Sequence, residues 1–113
     1  MSGTRRTREN TLERGLVRRA EADGWLVRKV AWIGRHSAPD RLFARDSVVV
    51  FIEMKRPGEA LRKPQFAEHR RLRRQGMLVR SVDSIEDGLR VLADPHCDET
   101  PCEARSREKW AKR

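Results

Sequence analysis

At 113 residues and 13.2 kDa the chain has room for one small domain, with a core large enough to fold alone but little to spare. Its 26 Lys and Arg against 17 Asp and Glu leave a formal net charge of +9 and a pI near 10.9, which points to a polyanionic partner, nucleic acid ahead of an anionic membrane surface. No apolar run approaches the roughly 20 residues of a membrane-spanning helix, the charged N-terminus has no signal-peptide pattern, and two cysteines, Cys97 and Cys102, argue against a disulfide framework and for a reducing compartment.

Residues 1–8 are polar and basic and read as an arm, either a solvated end or a source of extra phosphate contacts. From Glu9 to Asp23 the apolar positions Leu12, Leu16 and Ala20 recur every four residues, the pattern of an amphipathic helix that Gly24 is placed to end. Glu9 shares the face of that stripe and Glu13 flanks it. An acid there is either a first-turn charge favoured by the helix dipole or a ligand. A first strand is expected over 25–33, with Trp25, Val27 and Lys29 facing one way and Leu26, Arg28 and Val30 the other. The loop Gly34-Arg35-His36-Ser37-Ala38-Pro39 leads to Asp40, and Arg41–Ala44 reads as a second strand. Arg45-Asp46-Ser47 turns the chain back, so that the second and third strands form an antiparallel hairpin.

The third strand, Ser47–Lys55, is the most informative stretch. Its β-branched and aromatic run reads as a strand buried on both faces, ending in Glu53 and Lys55. Alternation puts these two on one side with Val49 and Phe51, roughly 6–7 Å apart at the α-carbons. A carboxylate and an ammonium at the end of such a strand are costly unless they are used. Arg56–Ala60 breaks the sheet, and a second helix is expected from Lys63 to Gln75 with Pro64 in its first turn. Phe66 and Leu72 anchor it. The one-signed excess of Arg62, Lys63, Arg70, Arg71, Arg73 and Arg74 favours a phosphate-facing surface. Gln65 and His69 lie one turn apart on a common face. Met77–Val82 is the last strand, and Ser84 caps a packing helix that carries Ile85, Leu89 and Leu92 and stops before Pro95. Residues 94–113 read as a polar tail, a short docking helix or a basic extension with Trp110 as anchor. His96, Cys97 and Cys102 fall short of a zinc set, being three candidates without a paired C-x-x-C.

Pro39-Asp40 followed by Glu53-Met54-Lys55 resembles the PD-(D/E)xK nuclease superfamily. The longer string Pro39-Asp40-Arg41-Leu42, Val50 to Gly58, and Pro64-Gln65 resembles its virus-type replication-repair nuclease branch, the VRR-NUC domains, in a stand-alone, phage-like form. The resemblance implies an α/β, restriction-endonuclease-like core over 9–93: a mixed central sheet of about four strands flanked by helices in the order αβββαβα, between the arm and the tail. It implies a Mg²⁺- or Mn²⁺-dependent endodeoxyribonuclease. Asp40, Glu53, the Met54 backbone carbonyl and Glu9 would then be metal ligands, with Glu13 as the alternative helix carboxylate. Lys55 would orient or polarise the attacking water and Gln65 would sit beside the site. Lys29, Arg35, His36, Lys63, Arg70, Arg73 and Arg74 are the expected nucleic-acid contacts. The resemblance further implies branched DNA as substrate, Holliday-junction resolution by a homodimer, no membrane, and a cytoplasmic, nucleoid-associated location in a bacterial or phage-infected cell. A flap-cutting or nicking nuclease, or an inactive nucleic-acid-binding module, is the alternative.

Overall fold

In a computed structural model, the backbone is described for residues 4–111 and the side chains for residues 11–111. The elements are α1 (Thr4–Ala22), β1 (Leu26–Lys29), β2 (Arg41–Arg45), β3 (Val48–Met54), α2 (Lys63–Arg74), β4 (Val79–Val82), α3 (Ile85–Ala93) and α4 (Pro101–Trp110). One mixed sheet has the order β1-β2-β3-β4, with the first three strands antiparallel and β4 parallel to β3. This is the expected restriction-endonuclease-like arrangement with one helix more at its C-terminal end.

α1 buries Leu16 and Ala20 as its apolar spacing requires. It begins at Thr4, inside the segment expected to be a basic arm. Gly24, at φ +92°, ends it. There the Trp25 N–H reaches the Ala20 carbonyl and the Gly24 N–H the Glu21 carbonyl, both at 3.0 Å, which satisfies two of the helix's terminal carbonyls. α1 packs on α3 at two glycines. A β-carbon at Gly88 would fall 2.7 Å from both Leu16 methyls, and one at Gly15 2.6 Å from Ile85 Cδ1. Beneath these helices Val27, Phe43, Val50, Ile52, Met54 and Val82 form the main core.

The β2–β3 turn is two residues, Asp46 and Ser47, both at positive φ (50° and 69°). That is the primed turn whose twist matches an antiparallel pair. It sets a register that pairs Phe43 with Val50 and Leu42 with Phe51. β1 is shorter than expected because the chain leaves the sheet after Lys29. Val30 still donates to the Asp40 carbonyl (2.9 Å), and Trp32 Nε1 closes the loop onto the Pro39 carbonyl (2.6 Å).

β3 is not buried on both faces. Val50, Ile52 and Met54 are enclosed, but Val49 is 47% exposed and Phe51 and Glu53 are half-buried. The second helical layer explains this: α2 and α4 gather over β4, around Leu61, Phe66, Val79 and Cys102, leaving this face of β1–β3 open.

α4 was one of the options for the tail, and here it protects the sheet edge. Thr100 and Glu103 cap each other reciprocally, Glu103 N–H to Thr100 Oγ1 (3.1 Å) and Thr100 N–H to Glu103 Oε1 (2.9 Å). The same side chains reach the outer edge of β4: the Ser81 N–H donates to Glu103 Oε2 (3.1 Å) and Thr100 Oγ1 donates to the Ser81 carbonyl (2.6 Å). An edge that would otherwise be open to another strand is filled by side chains. Arg80 adds a buried two-point pair to Glu103, at 2.8 and 2.9 Å. Cys97 Sγ accepts from Arg80 (3.6 Å), and burial pushes the Cys102 thiol up to about 11.

Candidate active site

The open face of the sheet carries the charged end of β3. The β2–β3 register ends at Leu42–Phe51, with Asp40 two residues before Leu42 and Glu53 two residues after Phe51, so an unbroken ladder would set the two across from each other on this face. Side chains directly opposite in such a ladder stand roughly 4.5–5.5 Å apart at their β-carbons. The bonds from Trp32 to the Pro39 carbonyl and from Val30 to the Asp40 carbonyl fix the backbone there, and Asp40 itself is exposed.

Lys55, 8% exposed, is next along the face. Its ammonium donates to Gln65 Oε1 at 3.3 Å, and among the described residues it makes no ion pair with Glu53. Gln65 occupies the third position of α2. There its Oε1 also accepts the free Arg62 N–H (2.9 Å), while its Nε2 reaches Glu53 Oε2 (3.5 Å). One amide thus joins the helix start, the lysine and the carboxylate, which gives the Pro64-Gln65 pair a physical reason. His69, one turn further along α2, puts Nε2 3.7 Å from Glu53 Oε1.

A cleft of about 920 Å³ opens here, walled by Glu53, Lys55, Lys63 and Gln65 and, from α4, by Arg105, Lys109 and Trp110. Sequence reasoning missed this α4 wall as part of the site. The signal for it was Thr100-Pro101-Cys102-Glu103, a cap residue, a first-turn proline and a glutamate at the third position. Trp110 anchors the helix by donating from Nε1 to the Leu61 carbonyl (2.7 Å).

Other expected residues fall elsewhere. Lys29 pairs with Arg41 on the α1 side of the sheet, opposite Glu53. Glu13 is held by Arg41 there, with Nη2 at 3.2 Å. The side chain of Glu9 lies outside the described residues. Arg35 ties its loop to α2 through Glu68 (2.6 Å), which also takes Arg71 (2.8 Å). Hydrogen bonds from Arg35 and then Arg71 hold the Glu68 carboxyl below the usual range. His36 shares a shallow pocket with that pair. Arg73 donates to the Val79 carbonyl (3.0 Å) and so belongs to the sheet edge. Arg70, stacked 5.5 Å from the Phe66 ring, and Arg74 line a second cleft of about 480 Å³ between α2 and α4.

Glu53 and Met54 bring hard oxygens to the first cleft, a carboxylate and a backbone carbonyl. Among the described residues no group of three or more His, Cys, Asp or Glu side chains is placed to hold a metal ion. A carboxylate and a carbonyl suit Mg²⁺ or Mn²⁺, which keep several waters, better than they suit softer ions.

No family profile matches the chain. It is 37% identical over 78 residues to a protein named "Putative nuclease p44" from Acyrthosiphon pisum secondary endosymbiont phage 1, covering 84% of that protein and 68% of this one. A solved VRR-NUC domain superposes with a TM-score of 0.70 at 31% identity, over 77% of this chain and 96% of the other. The chain belongs to the VRR-NUC family. In this chain Pro39-Asp40 lies just ahead of β2 and Glu53-Met54-Lys55 at the end of β3, with Gln65 in contact with Glu53 and Lys55.

Proposed function

We propose that this VRR-NUC domain is a Mg²⁺- or Mn²⁺-dependent endonuclease that cuts branched DNA as a homodimer. The observation that carries the reading is Glu53 and a nearly buried ammonium, Lys55, on one wall of a cleft at the end of β3, joined through the Gln65 amide, with Asp40 taken to stand across the hairpin from Glu53. Asp40, Glu53 and the Met54 carbonyl would hold the cation. When bound it supplies charge relief at the scissile phosphate and a more acidic water. Lys55, positioned by Gln65, orients that water and offsets the negative charge that grows in the transition state. Lys63 and Lys109 at the first cleft, and Arg70 and Arg74 at the second, are the cations for backbone phosphates. Among the described residues no helix is long and apolar enough to cross a membrane. DNA in the cytoplasm of a bacterial or phage-infected cell is the proposed setting.

A patch on the open face supports the homodimer. Leu26, Ala44 and Val49 form one row across β1, β2 and β3, with Leu26 48% and Val49 47% exposed. Val49 lies four residues from Glu53, about 13 Å along the strand. A second copy seated on the row leaves the cleft free, and a two-fold pair presents one site to each of two strands.

The test is cleavage of a labelled four-way junction and a matched linear duplex with Mg²⁺, Mn²⁺ or EDTA. Paired, metal-dependent nicks in the junction alone are the expected result. Cutting of both substrates, or of flaps and single strands in preference, keeps the metal mechanism and removes the junction selectivity. Binding without cleavage under either metal makes the domain an inactive nucleic-acid-binding module.

A further inference from the structure

His69 stands against Glu53 and has no task in the proposed chemistry. It is 0% exposed, and among the described residues neither Nδ1 nor Nε2 has a hydrogen-bond partner. Buried polar atoms without partners are uncommon and destabilising, and they call for a reason. A leucine of similar size would fill the space without that penalty. The ring is aimed at a specific atom, with Nε2 3.7 Å from Glu53 Oε1, just beyond hydrogen-bonding range. The other oxygen of the same carboxylate faces Gln65 Nε2 at 3.5 Å, also at the limit. Two donors from successive turns of α2 therefore flank Glu53, one per oxygen, and neither is fully engaged.

We propose that His69 is a positioning residue whose Nε2–H, together with the Gln65 amide, clamps the Glu53 carboxylate when that carboxylate binds a divalent cation. The inference rests on the metal-dependent reading of the site. A small rotation of Glu53 shortens both contacts. Partners of this kind orient a ligating carboxylate, and losing one typically weakens metal binding about 10–100-fold. His69 touches neither substrate nor water, and its contribution passes through Glu53.

The experiment measures Mn²⁺ binding to the full chain by calorimetry, alongside the thermal midpoint without metal, for the parent, His69→Leu, His69→Met and His69→Gln. Glu53→Gln serves as the control. The apolar variants should bind Mn²⁺ about 10–100-fold more weakly while their metal-free midpoints stay equal or rise, because two unpartnered atoms are gone. His69→Gln, whose amide nitrogen reaches the place of Nε2, should recover affinity. His69→Met adapts to the cavity by its flexibility and carries the test if His69→Leu does not fold. Parent-like Mn²⁺ affinity in the apolar variants overturns the clamp. So does a lowered midpoint in every variant with no recovery by His69→Gln, which marks His69 as packing alone. If the parent shows no Glu53-dependent Mn²⁺ binding, the metal reading itself fails and the clamp falls with it.

Discussion

Among the described residues the partner of the Lys55 ammonium is a neutral amide oxygen. An ammonium committed to Glu53 would be spent on a salt bridge, whereas one steadied by Gln65 keeps its charge for an incoming group. Lys55→Ala should therefore lower the cleavage rate by about 10²–10⁴-fold, and Asp40→Ala should abolish cleavage. Both should leave DNA affinity nearly intact, because neither side chain is part of the basic surface. Gel assays of cleavage and anisotropy of labelled DNA separate the two quantities, and parent-like cutting by either variant would sink the nuclease assignment. Gln65→Ala removes the shared amide. It should cost about 1 kcal/mol in urea denaturation for the lost helix-start bond and slow cleavage as Lys55 loosens. Part of this site was legible in the sequence, since a period of two places Glu53 and Lys55 on one side, where both line the cleft. The placement of the basic residues was less so. Lys29 faces away because strand parity, not charge, decides its side, and Arg73 is taken up by a backbone carbonyl that only the packed helix brings near.

At the level of elements, α4 holds the edge of the sheet through one carboxylate. Burial works against a charge on Glu103, but hydrogen bonds from Arg80 and from the Thr100 and Ser81 amides outweigh it and hold its carboxyl below the usual range. A carboxyl whose pKa is lowered on folding adds stability above its unfolded value and loses it as the pH falls through the folded value. Urea unfolding followed from neutral pH downward should show stability falling below the ordinary carboxylate range, and Glu103→Gln should flatten that dependence. Glu103→Ala leaves Arg80 buried without its partner and should cost about 3–5 kcal/mol. A loss under 1 kcal/mol would mean that the edge is held by Thr100 alone. On the other face, Gly88→Ala forces a β-carbon against the buried Leu16 and should cost about 1–3 kcal/mol by the same assay. The four strands and first three helices were readable from apolar periodicity and turn residues. α4 was not plainly so, because it buries polar atoms and a small thiol in place of an apolar stripe, and its partners on β4 lie some twenty residues earlier in the chain.

On the scale of the whole molecule, the net charge of +9 and the open apolar row ask for different partners. Charge explains attraction to any polyanion, is screened by salt, and does not distinguish a junction from a duplex. The proposed selectivity for a branched substrate needs two sites at a fixed separation, which a chain of this size would obtain by pairing with itself. The Leu26–Ala44–Val49 row suits that pairing because it is apolar, lies flat on the sheet and sits clear of the cleft. A lysine at Val49 places a charge against the same position of the second copy. Val49→Lys should therefore shift the protein from dimer to monomer in light scattering coupled to gel filtration. The monomer keeps Asp40, Glu53, Lys55 and Gln65 in place, so it should still nick DNA while losing the paired cuts that resolve a junction. A parent protein that runs as a monomer even with bound junction would remove the two-fold arrangement and leave a single-site nicking enzyme, for which the exposed row would need another occupant.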